Sequence, residues 1–297
     1  MVNSVKPLLL SIIIPTYNRP ERLSQCLQAL VQQTLPTQSW EVVVVDDGSE
    51  QSMEPVIATV QSQIQIRLIH QSNSGPAKAR NTGAENAVGQ YLVFTDDDCA
   101  PKPDWLAQFA HEFEQKSEGL IGGHTLNALE QNLYSTTSQL LIDYLYRYYN
   151  EGEKNARFFA SNNFALPADL FHRIGGFDTN FPLAAGEDRE FCDRISSNGY
   201  AMYYAPEAII NHAHHLTFKS FWRQHFNYGR GAFYFHTIRA NRKQDNIKVE
   251  PISFYAKLLS FPFMQPTNQP SFLVSLLLFM SQVANVTGFF WAKKQAT

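Results

Sequence analysis

The sequence predicts an α/β protein built on a mostly parallel sheet, with a ligand site at the carboxyl ends of its strands. Three observations lead there. Short apolar runs alternate with helical patterns through the first hundred residues, and two of those runs end in clustered carboxylates. The charge is also divided: residues 1–215 carry a net of −11 and residues 216–297 a net of +8. The hydrophobic share of 44% in 297 residues supplies a sizeable globular core. A net charge of −3 argues against a surface built to hold nucleic acid.

The elements follow in order. Leu9–Ile14 reads as a buried strand; together with Leu8 it resembles a short signal core, but Pro15-Thr-Tyr-Asn-Arg19 follows with no small-residue cleavage site. Leu23, Leu27, Leu30 and Val31 share one face of a helix that Pro20 begins. Glu41–Val45, Ile66–His70 and Tyr91–Thr95 are further strands, with a short helix over Ala77–Ala87 closed by Gly89. Strands alternating with helices imply right-handed βαβ units. Trp105–Phe113, Asp169–Phe177 and Asp188–Asn198 read as helices, the last two ending at glycines, and Gly119–Gly123 as a strand. Three stretches follow: 1–100 with the alternating pattern, 101–215 with a mixed one, and a basic, aromatic region (216–297). Cys26, Cys99 and Cys192 are widely spaced and form no C-x-x-C pair, which points to buried thiols in a reducing compartment.

Asp46-Asp47-Gly-Ser49 follows the second strand and Asp96-Asp97-Asp98 the fourth. Ligands of open α/β sheets sit outside the strand carboxyl ends, so both clusters point into one crevice. Five carboxylates gathered there repel one another unless a cation joins them. Mg²⁺ or Mn²⁺, completing its shell with phosphate oxygens, answers this and suits a nucleoside diphosphate; loop acids capping helices are the plainer alternative. Asn73–Gly83 places Lys78 and Arg80 behind a Gly-rich turn, without the spacing of a phosphate loop. Asp188, after Gly186-Glu187, reads either as a helix cap or as a general base.

These segments, in order, resemble inverting family-2 glycosyltransferases with the GT-A fold. The resemblance rests on Ser11–Arg19, Glu41–Ser49, Gly75–Gly83, Phe94–Asp98, Gly175–Asp178 and Gly186–Asp188, and spans roughly residues 9–215. It implies that a GT-A sheet flanked by helices, forming a nucleotide-sugar-binding half (1–100), merges with an acceptor-binding half that carries the catalytic base (101–215) and a C-terminal helical tail (216–297). It implies that Pro15, Thr16, Tyr17 and Asp47 hold the nucleoside and that Arg80 contacts base or phosphate. Asp96 would approach the ribose and Asp98 the metal, with Asp97 taking the metal role in some relatives. Asp188 matches the catalytic base, with Glu187 as its substitute. His212, in Asn211–His215, matches a further metal or diphosphate contact, an exposed histidine turn being the alternative. The resemblance also implies a Mn²⁺- or Mg²⁺-dependent transfer from a UDP, GDP or dTDP sugar to a glycan or lipid-linked acceptor. A sugar nucleotidyltransferase would carry a G-x-G-x-R-L-type loop where Pro15–Arg19 stands. A non-catalytic nucleotide-sugar-binding scaffold would bind without turnover.

Phe218–His236 interleaves aromatic and basic residues. Nucleic acid and a membrane interface are the two readings of such a pattern, and no nucleic-acid fold signature accompanies it. By the resemblance, Tyr228-Gly-Arg-Gly231 is a contact loop and Arg230 a substrate contact. Phe272–Trp291 is a helix whose Ser271, Ser275, Ser281, Gln282 and Asn285 form a narrow stripe. That stripe favours a helix lying in a membrane surface or docked on a partner over one that spans, and plain packing is the remaining reading. The net +8 suits an anionic membrane, and the expected location is the cytoplasm or the cytoplasmic membrane face.

Overall fold

The computed structural model describes residues 9–150, 156–181, 185–243 and 250–296, so Leu8 lies outside it. The chain begins with β1 (Leu10–Thr16), α1 (Pro20–Val31), β2 (Trp40–Asp46), α2 (Glu54–Ala58), β3 (Ile66–His70), α3 (Pro76–Asn86) and β4 (Tyr91–Thr95). These strands pair in parallel in the order β3-β2-β1-β4. All of β1, β2 and β4 is buried, because helices cover both faces of the sheet. Ile12, Ile14, Val42 and Val44 pack one way, onto Leu23, Leu27 and Leu30 of α1. Ile13, Val43 and Val45 pack the other way, onto Ala79 and Ala84 of α3. This half matches the sequence reading nearly element for element.

The chain continues through β5 (Cys99–Pro101), α4 (Trp105–Gln115), β6 (Leu120–Asn127), α5 (Leu133–Tyr149), β7 (Asn163–Pro167), α6 (Ala168–Ile174), α7 (Glu187–Ser197) and β8 (Met202–His212). The sheet extends as β4-β7-β6-β8-β5. β7 runs antiparallel to both neighbours, β8 is parallel to β6, and β5 is antiparallel to β8. The sheet is therefore parallel from β3 to β4 and mixed beyond β4. Residues 216–296 add α8 (Phe218–Lys243), α9 (Ile252–Ser260) and α10 (Ser271–Gln295).

Two readings of the tail change. Tyr228-Gly-Arg-Gly231 is no loop but lies within α8. Its glycines are there for close approach: a Cβ on Gly229 would stand 1.8 Å from the Asn285 carbonyl oxygen of α10, and one on Gly231 would stand 2.0 Å from that of Ala185. Gly288 of α10 meets the Phe226 carbonyl in the same way, at 1.9 Å. The polar stripe of α10 also turns inward. Ser281 is buried, and the Ser275 hydroxyl donates to the Leu259 carbonyl at 2.8 Å. Phe272, Leu276, Phe279, Val283, Val286 and Phe290 are exposed on the outer side; their spacing of four and three residues makes them one stripe. By length and composition this helix is apolar enough to cross a membrane, with a mean hydropathy of 1.7 over its best window.

Candidate active site

A cleft of about 1060 Å³ opens at the carboxyl ends of β1, β2 and β4 and runs between α7 and α10. Pro15, Thr16, Tyr17, Asp47, Arg80, Asp96, Asp97, Asp98, Glu187, Asp188 and His212 all line it. Arg230 does not: from α8 it stacks its guanidinium 4.5 Å from the Trp291 ring centroid, while Tyr228 reaches the cleft.

At the ends of β2 and β4 the acids are held by neighbouring donors. Asp47 accepts from the Ser74 and Gly75 backbone N–H groups, both at 2.8 Å, and from Gln71 Nε2 at 2.7 Å. The acid at the end of β2 thus shapes the Gly75 turn that borders the cleft. Gly75 itself sits at φ +87°, a conformation open to glycine. Thr16 Oγ1 donates to Asp97 Oδ2 at 2.8 Å, and Arg19 Nη1 lies 3.3 Å from Asp97 Oδ1. Burial pushes the Asp97 carboxyl up to about 6 against the pull of Arg19, with Asp98 adding to the rise.

Asp98 goes the other way. Burial alone would raise it, but the hydrogen bond and charge of His212, with His214 and Arg19 behind, hold it well below the usual carboxylate range. Its Oδ1 is 3.2 Å from His212 Nε2, and its Oδ2 accepts from Arg22 Nη1 at 2.9 Å. Burial would lower the His212 pKa, yet Asp98 raises it overall; His214 is pushed down to about 4 by burial and by the charge of His212. Ligand atoms of Asp98, His212 and His214 lie within 4.8 Å of one another. One carboxylate oxygen and two imidazole nitrogens at that spacing fit a single divalent ion. His212 ends β8 and His214 follows it, both half-buried, so these two form no exposed turn, whereas His215 is exposed. Sequence reasoning missed Arg19, Arg22 and His214. The signals were present: His214 repeats the His212 position at strand spacing, and Arg22 follows Arg19 by three residues in a helix start.

Arg80 joins the two sides. Its buried guanidinium donates from Nη2 to Asp96 at 2.7 Å and from Nη1 to Glu187 at 3.4 Å. Arg80 Nε and Glu187 Oε2 are buried without hydrogen-bond partners among the described residues. Glu187 and Asp188 open α7 behind Gly186, which takes φ +94°. Asp188 Oδ1 accepts from the Arg189 N–H at 2.7 Å and still faces the cleft. Burial raises both carboxyls above their usual values; the like charge of Asp188 adds to the rise at Glu187, and Arg80 opposes it in both. The pair therefore holds a proton more readily than free carboxylates do, as suits a group that must accept one.

Away from the acids the lining is mixed: Ile142 and Leu145 of α5, Phe254 of α9, and Val286, Phe289 and Phe290 of α10 supply an apolar wall, and Tyr149, Glu250, Gln282 and Asn285 line the cleft as well. Sequence reasoning missed this wall, because it treated no part of α5 as an element.

Residues 11–175 match the profile of Glycosyl transferase family 2. Glycosyltransferase AglE of Haloferax volcanii is 28% identical over 224 residues, covering 74% of this chain and 72% of that protein. Validoxylamine A glucosyltransferase of Streptomyces hygroscopicus subsp. jinggangensis is 28% identical over 228 residues, covering 67% of this chain and 54% of that protein. The mannosyltransferase PcManGT of Pyrobaculum calidifontis, solved with GDP-Man and Mn²⁺, superposes with a TM-score of 0.62 at 20% identity, covering 99% of this chain and 82% of that one. That likeness speaks to the fold.

Proposed function

Because the chain belongs to glycosyl transferase family 2 and has a GT-A-type fold, we propose that it inverts a sugar as it moves it from a nucleoside-diphosphate donor to an acceptor hydroxyl, with Asp188 as the base. The observation that carries this reading is the pairing of Arg80 with Asp96 on one side of the cleft and Glu187 on the other, at 2.7 and 3.4 Å, beside an acid pair of raised pKa.

In this reading Pro15, Thr16, Tyr17 and Asp47 border the nucleoside and Asp96 meets the ribose. Asp98 and His212, with His214 as a third donor, hold a divalent ion. Two imidazoles beside one carboxylate favour Mn²⁺ over Mg²⁺. The ion supplies positive charge at the departing diphosphate. Arg80, lodged between carboxylates, adds its own fixed charge there. Asp188 takes the proton of the acceptor hydroxyl as that oxygen attacks the anomeric carbon from the face opposite the leaving group. One displacement inverts the configuration and forms no sugar–enzyme bond. Glu187 holds Arg80 and shares the negative charge that keeps the pair basic. His212 must be neutral to ligate, and Asp98 raises its pKa, so ion loading should weaken as pH falls.

Residues 1–100 serve the donor, 101–215 the acceptor and base, and 216–297 the attachment. We place the protein on the cytoplasmic face of a membrane, held peripherally through α10. Three buried free thiols support a reducing compartment. Residues 251–297 contain three lysines and no Asp or Glu, which suits an anionic lipid surface.

The test is calorimetric binding of UDP, GDP and dTDP with and without Mn²⁺, repeated on Asp98→Ala. Metal-dependent binding of one nucleotide, lost in the variant, is the expected result. No binding by folded protein overturns the proposal.

A further inference from the structure

We infer that the acceptor is carried on an apolar chain, which lies along the wall formed by Ile142, Leu145, Phe254, Val286, Phe289 and Phe290 and reaches the cleft from the lipid surface on which α10 rests. This inference names the acceptor class of the site proposed above and rests on that reading.

Three features support it. First, α5, α9 and α10 together bring the aliphatic and aromatic side chains of this wall to the cleft, on elements other than those that carry Asp188 and Arg80; Gln282 and Asn285 are the polar groups that α10 adds to the lining. A sugar polymer presents hydroxyls along its whole length, and Ile142, Leu145 and Val286 satisfy none of them; buried hydroxyls without partners are costly. An alkyl or polyprenyl chain needs no partner there and gains by leaving water.

Second, that wall is continuous with the outer stripe of α10. Val286 and Phe290 line the cleft and are also 51% and 60% exposed, in register with Phe272, Leu276, Phe279 and Val283. A chain leaving the cleft past these two side chains therefore emerges on the apolar face. Phe263 and Met264, in the short segment between α9 and α10, add exposed apolar surface at 62% and 68%.

Third, the charge around the stripe selects its occupant. Lys257, Lys293 and Lys294 are the charged residues of 251–297, and Trp291 sits beside the last two at the helix end. An aromatic ring with lysines bordering an apolar stripe is the arrangement of helices that lie in a lipid interface. The inward polar stripe of α10 fits the same arrangement: Gln282 and Asn285 line the cleft, where water and substrate hydroxyls meet them.

The experiment uses the full chain and n-alkyl glucosides with methyl, hexyl and octyl chains, each below its micellar threshold, titrated calorimetrically beside the Mn²⁺–nucleotide titration. Octyl glucoside is expected to bind about tenfold more tightly than hexyl, from the two added methylenes, and methyl glucoside to give no signal. Leu145→Asp is expected to abolish the chain-length gain while the nucleotide isotherm persists, which also shows that the variant is folded. Equal binding of methyl and octyl glucosides, or a chain gain that survives Leu145→Asp, overturns the inference. So does a chain gain lost in Phe272→Gln/Phe279→Gln but kept in Leu145→Asp, which assigns the chain to the outer stripe. A failed nucleotide titration with an intact chain-length gain sinks the donor reading and leaves the apolar groove standing.

Discussion

Replacing Asp188 by Asn isolates the proposed base. The amide has nearly the volume of the carboxyl, and its oxygen still accepts the Arg189 N–H that Asp188 accepts at 2.7 Å, so the start of α7 is kept. What disappears is the charge and the ability to take a proton. A positioned base contributes about 10²–10⁴ in rate, equivalent to about 3–5 kcal/mol on the barrier. The expected loss is therefore of that size in kcat, with nucleotide affinity unchanged. Stability should not fall, because burial raises the Asp188 pKa and the native protein carries its ionised form at a cost. Glu187 also loses the neighbouring charge that helps to raise it. The assay is single-turnover consumption of the donor that calorimetry selects, with nucleotide binding and thermal unfolding measured on the same preparation. Turnover within tenfold of the unsubstituted protein, or a parallel loss of nucleotide binding, would refute the assignment. Glu187→Gln is the companion: its amide oxygen can still accept from Arg80 Nη1, but the ion pair that holds the guanidinium across the cleft is lost, so the donor KM should rise more than kcat falls.

Two further results are expected. The acid limb of kcat/KM should lie above pH 3.8, the ordinary Asp value, since burial raises the Asp188 carboxyl and the base works only when deprotonated, so activity falls as pH drops through the raised pKa; a limb at or below the ordinary Asp value counts against the assignment. Gly229→Ala gains about 1 kcal/mol of helix propensity, yet its Cβ would stand 1.8 Å from the Asn285 carbonyl oxygen; overpacking of about 1–3 kcal/mol should prevail and lower Tm by several degrees, and a raised Tm would show that α8 and α10 part freely.

The half built on β1–β4 was legible because β1, β2 and β4 are covered on both faces and so read as unbroken apolar runs bounded by turn residues. β8 was not. It carries Pro206, which usually demotes a run from strand status, and its pairing with β6 shifts register between Gly123 and His124 to accommodate the interruption. α5 was hidden for another reason. Its buried face includes Ser135, Thr136 and Thr137, so no clean apolar periodicity marks it, although the Thr137 hydroxyl donates back to the Leu133 carbonyl at 2.8 Å. The glycines at 229 and 231 carry the usual signal of a loop, and only the presence of a second helix explains them. Of the site, the acids and Arg80 were visible as motifs that resemble a family. The bond from Arg80 to Glu187, 107 residues away, is a tertiary fact that no local pattern encodes.

The position of β7 has a consequence for biosynthesis. During translation β4 is complete by residue 95, but the strand that covers its open side is residues 163–167, antiparallel from Tyr91↔Pro167 to Thr95↔Asn163. For the intervening stretch of synthesis, Tyr-Leu-Val-Phe-Thr is an unpaired apolar edge with its backbone donors and acceptors unmet, a template on which nascent chains can pair with one another. A fragment ended between residues 100 and 150 would keep that edge for good. Such a fragment should accumulate as aggregate rather than as a small nucleotide-binding module, so the first hundred residues are half of a machine and not a portable part.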